Sequence, residues 1–156
     1  HAQAEIGVND FERRLDRQGK HEAKIMADFL LKNNKPDLIL SSKSIRTVET
    51  LNYLMDIDRQ SRPIYDDSLY LAEPKKIINC IIKNVNNENT ILLVAHNPGI
   101  HELSVSLVKN NDELNLENDF PSASMSIFSL GNNKWHDLGN KRLELIKFIR
   151  PKDLNN

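Results

Sequence analysis

The sequence predicts an α/β fold, a three-layer α/β/α sandwich built on a mostly parallel sheet. Three observations carry that expectation. Two short apolar runs bounded by turn residues, "DLILSS" (37–42) and "ILLVA" (91–95), have the length of buried strands. The segments around them repeat their apolar residues at helical spacing, so strand and helix signals alternate, as in sheets whose crossovers are helices. No internal repeat or low-complexity linker interrupts the alternation.

Each element follows from its residues. Asp16 can cap a helix in which Ala23, Met26, Ala27, Leu30 and Leu31 form one apolar face. Asn33-Asn34-Lys35-Pro36 ends it, and "DLILSS" then reads as a strand. Residues 44–56 return to helical spacing through Ile45, Val48, Leu51, Leu54 and Met55. An extended "RPIYDD" (62–67) leads to a helix opened by Pro74 in its first turn, with Ile77, Ile78, Ile81 and Ile82 as the core stripe. After the strand at 91–94, Pro98 begins a helix carrying Ile100, Leu103, Val105 and Leu107. The last third changes character: "SMSIFSL" (124–130) and "KRLELIKFI" (141–149) read as strands around a hairpin at "GNN".

Bulk properties limit the function classes. A chain of 156 residues is expected to form one domain over 1–156, large enough to bury roughly two thirds of its unfolded surface. A net charge of −1 offers no basic field for nucleic acid or for anionic lipid. Cys80 is the single cysteine, which excludes an intramolecular disulfide and a multi-cysteine metal site. No apolar run approaches the roughly 18 residues of a membrane span, and no secretory signal is visible, so a cytoplasmic location is expected.

The carboxyl ends of the strands in such a sheet form the crevice where ligands bind. Ser41-Ser42 through Arg46 follow one strand and His96-Asn97 follow another, which puts polar groups there. There is no Gly-rich phosphate loop and no GxSxG elbow. His21-Glu22 and His101-Glu102 lack the second histidine of a zinc-protease helix, so metal hydrolysis is disfavoured and no cofactor or metal is expected. What remains is "HAQAE" (1–5), "RRLDRQG" (13–19), "SSKSIRTVET" (41–50) and "AHNPG" (95–99). Imidazoles and arginines in one crevice suit a phosphoryl group. Guanidinium forks match phosphate oxygens, a neutral imidazole can attack phosphorus, and a second imidazole can donate to the equatorial oxygens. Backbone N–H groups beyond Asn97, at a helix N-terminus, add donors for an anion.

These four segments, in this order, resemble the histidine phosphatase superfamily (branch 1), and specifically its compact SixA-type phosphohistidine phosphatases, whose fold is phosphoglycerate mutase-like. That family begins with Arg-His-Gly or Arg-His-Ala at the end of its first strand, and His1-Ala2 match the last two positions. Its Arg-x-Leu-[Thr/Ser/Asp]-x-x-Gly is matched by 13–19, its Ser-x-x-x-Arg-[Ala/Thr]-x-x-Thr by Ser42 to Thr50, and its second strand-end histidine by His96. The likeness extends over nearly the whole chain to the closing "FIRPKDL". It implies that His1 is the nucleophile, that His96 is the second catalytic imidazole, and that Arg13 and Arg46 bind phosphate oxygens. Arg13 and Arg14 compete for one role, and the family register favours Arg13. The implied substrate is phosphohistidine on a protein such as a phosphorelay or phosphotransfer domain. The alternatives are a small phosphorylated substrate, as for a general phosphomonoesterase of the superfamily, and a phosphate-recognition module without turnover.

Two departures accompany the resemblance. The family's arginine before the nucleophile and its first strand would lie upstream of His1, and an apolar strand ending in Arg is expected there. Larger relatives also carry a general-acid glutamate, whereas "DDSLYLAEP" offers Asp66, Asp67 and Glu73 with none clearly in that register. A phosphoramidate tolerates a missing acid, because a protonated imidazole leaves phosphorus readily; an alkyl phosphate needs its leaving oxygen protonated. The remaining candidates read as structural: His21 on a helix surface, His101 out of phase with His96, His136 on a strand, and Cys80 as a buried thiol. Ser122 and Ser124 fall in a loop near the crevice and receive no role.

Overall fold

Leu38, Ile39, Leu40 and Ser41 form strand β1, and every one of them is buried. A strand covered on both faces reads as an unbroken apolar run, which is why "LIL" shows no polar alternation. In the computed structural model, which describes residues 1–7, 9–33, 35–57, 62–109, 116 and 119–154, β1 is the middle of a three-stranded parallel sheet. It pairs with β2 (Ile64–Tyr65) on one side and β3 (Ile91–Val94) on the other, with Leu40 opposite both Ile64 and Leu93.

The period of two along β1 sorts its side chains between two helical layers. Ile39 packs with Ala27 and Leu30 of α1 (Arg17–Asn33), Leu51 and Leu54 of α2 (Ile45–Ile57), and Val94. Leu38 and Leu40 pack on the opposite face with Ile77, Cys80 and Ile81 of α3 (Pro74–Asn84) and with Leu103 and Leu107 of α4 (Gly99–Leu107). The α/β/α sandwich expected from the sequence is therefore present. Each fully buried Leu or Ile contributes about 1.5–3 kcal/mol to it. Asp16 caps α1 as expected, its carboxylate accepting from Gly19 N at 2.7 Å.

Three local expectations need correction. On α3 the fully buried stripe is Ile77, Cys80 and Ile81, while Ile78 and Ile82 are only partly covered; the 3.6-residue turn brings residue 80 inward with its neighbours. Strands β4 (Met125–Ser129) and β5 (Glu144–Ile149) are antiparallel, but no tight "GNN" hairpin joins them. Their connection carries a 3₁₀ turn at Trp135–Asp137 and a bridge between Leu138 and Lys141. His136 lies exposed on that 3₁₀ turn, not on a strand. His21 is exposed on α1 and Cys80 is buried, as read from the sequence. Among the described residues no helix is long and apolar enough to cross a membrane.

Gly99 opens α4 against the segment that follows β2. A Cβ there would stand 1.8 Å from the carbonyl oxygen of Ala72, a distance that only backbone movement relieves. Gly99→Ala is therefore expected to cost about 3 kcal/mol of stability. The change should appear as a lower urea midpoint at unchanged m value.

Candidate active site

The first five residues are tied to three elements at the carboxyl end of the parallel sheet. The backbone nitrogen of His1 donates to Ala95 O just beyond β3 (3.2 Å), and His1 O accepts from Ala123 N ahead of β4 (2.9 Å). Ala2 N donates to Thr50 Oγ1 on α2 (3.1 Å), and that hydroxyl donates back to Arg46 O (2.7 Å). Residues 3–5 run antiparallel to 14–16 through Asp16 N to Gln3 O, Glu5 N to Arg14 O and an Ala4–Leu15 bridge. The approach is close enough that a Cβ on Gly19 would meet Gln3 O at 1.9 Å. His1 is thus fixed beside the first turn of α2, where Arg46 sits.

Arg46 is 3% exposed and its guanidinium is the hub of the crevice. Nε–H donates to His1 Nε2 (3.1 Å), and Nη2 donates to both His96 Nδ1 (3.1 Å) and Asp10 Oδ2 (2.9 Å). Nη1 donates to Asp10 O. The two imidazoles meet edge to face, with centroids 5.0 Å apart. The α2 turn that aims Arg46 is itself held by Thr47 Oγ1, which bonds Ser42 O and Ser44 O in a fully buried setting.

Hydrogen-bond arithmetic assigns the ring protons. A carbonyl only accepts, so the 2.8 Å contact between His1 Nδ1 and Ala2 O makes Nδ1 the donor. The lone pair of neutral His1 is then on Nε2, facing Arg46. An arginine only donates, so His96 Nδ1 accepts and the proton of neutral His96 is on Nε2. His96 Nε2 is buried and has no partner among the described residues. Burial, and then the Arg46 charge, lower the His96 pKa from its ordinary 6.5 to about 3, so the ring is neutral near pH 7. A lone pair on one ring and an unsatisfied N–H on the other are what attack on, and support of, an electron-rich tetrahedral centre require.

Two residues in this cluster escaped the sequence reading. Asp10, in a 3₁₀ turn over Asp10–Glu12, accepts from Arg13 Nη1 at Oδ1 (2.9 Å) and from Tyr70 Oη at Oδ2 (2.6 Å), besides Arg46. The Tyr70 hydrogen bond, then Arg13 and Arg46, hold its carboxyl far below the usual carboxylate range. Tyr70 packs edge to face on His96 (5.2 Å) and on Phe11 (5.0 Å). The only available signals were an acid three residues before Arg13 and an aromatic in "SLYLAEP". In the neighbouring loop, Ser124 Oγ is also buried with no partner among the described residues.

Of the sequence candidates, His1, His96 and Arg46 are in direct contact, and Arg13 joins them through Asp10. Arg14 lies outside, more than half exposed and paired with Glu49 at 3.0 Å. Asp66 caps the turn at 67–69 through Ser68 N, and Asp67 pairs with Lys43 at 2.7 Å. Glu73 stands exposed ahead of α3 and makes no capping hydrogen bond. Hydrogen bonds from the Ser68 side chain and then its backbone keep Asp66 below the usual carboxylate pKa. His101 turns away to Leu116 O and stacks on Phe120 at 5.3 Å. Among the described residues no group of three or more His, Cys, Asp or Glu could hold a metal ion.

No family model matches the chain. The uncharacterized protein ML1117 of Mycobacterium leprae is 30% identical over 152 residues, covering 93% of this chain and 91% of its own. A protein provisionally named phosphohistidine phosphatase SixA from Agrobacterium tumefaciens superposes with a TM-score of 0.82 at 26% identity, over 97% of this chain and 94% of that one. Its provisionally named counterpart from Nakamurella multipartitia gives 0.85 at 24% identity, over 97% and 92%. With superpositions of this quality over nearly the whole length of both chains, the chain belongs to the histidine phosphatase superfamily, alongside its SixA-type members.

Proposed function

We propose that this protein is a phosphohistidine phosphatase that works through a covalent phospho-His1 intermediate. The observation that carries the reading is the pair of opposed tautomers around Arg46: a proton-free Nε2 on His1, held by Arg46 Nε–H, and an Nε2–H on His96 that has no partner among the described residues. His1 Nε2 attacks phosphorus, the P–N bond to the substrate imidazole breaks, and that imidazole leaves with a proton from solvent. Water then attacks the phospho-His1 and releases inorganic phosphate, returning His1 to its starting state. His96 Nε2–H and the guanidinium groups of Arg46 and Arg13 stabilise the charge on the transferring group.

The substrate class follows from the acids. Asp10 is the carboxylate in the cluster, and its three donors keep it ionised at neutral pH. Asp66 and Asp67 are occupied elsewhere. A leaving imidazole needs no protein acid, whereas a leaving alkoxide does. A phosphohistidine-bearing phosphorelay or phosphotransfer domain is accordingly the preferred substrate.

The test compares kcat/KM on a phosphohistidine protein with that on a sugar phosphate, and quenches turnover to isolate the phospho-enzyme. Preference for the phosphohistidine protein and an acid-labile, alkali-stable phospho-enzyme are expected. Preference for the sugar phosphate overturns the substrate assignment in favour of a small-molecule phosphomonoesterase. Saturable phosphate binding with no turnover of either substrate overturns the enzyme reading in favour of a recognition module.

A further inference from the structure

We propose that the Asp10 carboxylate is an internal stand-in for the substrate's anion: it occupies the arginine cradle of the resting site, and a phosphoryl group binds by displacing it. The proposal rests on the reading of this site as a phosphoryl-transfer centre and adds to it a residue that sets phosphate affinity and product release.

The first support is the donor inventory of Arg46. A guanidinium has five N–H bonds, and at rest this one directs them to His1 Nε2, His96 Nδ1, Asp10 O and Asp10 Oδ2. Little donor capacity is left for an incoming oxygen. The same network caps the His1 lone pair, since Arg46 Nε–H points at it. The Arg46 donors and the His1 lone pair are therefore already engaged with each other and with Asp10, and some member must yield before phosphorus can approach His1.

Exposure identifies that member. Arg46 is 3% exposed and His96 is 1% exposed, so moving either would disturb the core. The Asp10 side chain is 45% exposed and belongs to a three-residue turn, so its carboxylate can rotate into water with its charge solvated. Its two oxygens already bridge Arg13 and Arg46, the pair of guanidinium groups that a phosphoryl group would bridge.

Tyr70 is the clasp. Its hydroxyl donates to Asp10 Oδ2 at 2.6 Å, a short charge-assisted bond, and its ring is fixed between Phe11 and His96. The arrangement neutralises two neighbouring cations in the empty site. It also competes with inorganic phosphate after hydrolysis, which favours product release.

The proposal is tested on the full chain by calorimetric titration with inorganic phosphate and by product inhibition during turnover. Asp10→Asn is expected to bind phosphate roughly tenfold tighter or more, because one negative charge beside both guanidinium groups is removed. The product-inhibition constant should fall in parallel, and kcat and KM should fall together as release slows. Tyr70→Phe, which leaves every charge in place, should shift phosphate affinity in the same direction by a smaller factor. A natively folded Asp10→Asn with equal or weaker phosphate binding overturns the proposal and makes Asp10 a positioning residue for Arg46. If Asp10→Asn does not fold, Tyr70→Phe decides: tighter binding supports the proposal, and unchanged or weaker binding overturns it. Phosphate binding that Arg46→Ala weakens while neither variant strengthens it defeats this proposal alone. No saturable binding in the unaltered protein and both variants defeats the phosphoryl reading together with it.

Discussion

His1→Ala is expected to lower kcat/KM on a phosphohistidine protein by at least roughly 10⁴-fold and to leave no phospho-enzyme on rapid acid-free quenching. The size of the effect follows from where the lone pair is. Ala2 O holds the Nδ1 proton at 2.8 Å, so Nε2 is the proton-free atom, and Arg46 Nε–H points at it. Among the described residues the other imidazole in contact with that hub is His96, whose Nδ1 lone pair is taken by Arg46 and whose remaining nitrogen carries a proton. His96 therefore cannot take over the attack without reversing its tautomer and losing the Arg46 bond. The remaining cradle would still bind phosphate, so His1→Ala should retain phosphate affinity in the same titration. Full activity in this variant, or an undiminished phospho-enzyme, would remove His1 from the mechanism.

How much of this was legible in the sequence depended on the range of the interaction. β1 and β3 were legible because their apolar residues are continuous and their ends are polar, and α1 because Asp16 advertises its first turn. The helical stripe on α3 was legible as a period, with Cys80 correctly read as buried, but it was drawn too wide, because Ile78 and Ile82 lie at its edge and are only partly covered. The β4–β5 connection was misjudged because Gly131 and its neighbours mimic a hairpin turn, while the real chain detours through Trp135, whose indole donates to Glu88 O at 2.7 Å. A tertiary contact of that kind leaves no local pattern.

The site divides along the same line. Arg46 and His96 stand at a helix start and just past a strand end, so topology brings them together once the parallel order is known, and His1 reaches them through its backbone bonds to Ala95 and Ala123. Arg13 was separable from Arg14 only by a family register, and the separation has a physical basis: Arg13 Nη1 reaches Asp10, while Arg14 spends its charge on Glu49. Asp10 itself offered no signal beyond an acid three residues before Arg13. Its meaning comes from Arg46 and Tyr70, which are 36 and 60 residues away in sequence. No short-range spacing rule reports such a pairing.

Arg46→Ala is expected to reduce kcat/KM by about 10³–10⁵-fold, the range for losing an arginine that stabilises a transferring phosphoryl group. Lysine should restore little, since a point charge cannot contact His1, His96 and a phosphoryl oxygen together as the planar fork does. A second consequence distinguishes charge from shape. Burial first and Arg46 second hold the His96 pKa at about 3 instead of 6.5, so between those values the unfolded chain binds a proton that the native ring refuses. Native stability is therefore fully supported above pH 6.5 and is lost as pH falls toward 3, at up to about 1.4 kcal/mol per pH unit from this one group. Removing the Arg46 cation raises the His96 pKa and narrows that window from below, so the acid slope of urea stability should end at a higher pH in Arg46→Ala. Proton NMR titration of the His96 ring gives the same answer directly, with a midpoint above that of the unaltered protein. A midpoint unmoved by the substitution would mean that burial alone sets the His96 pKa.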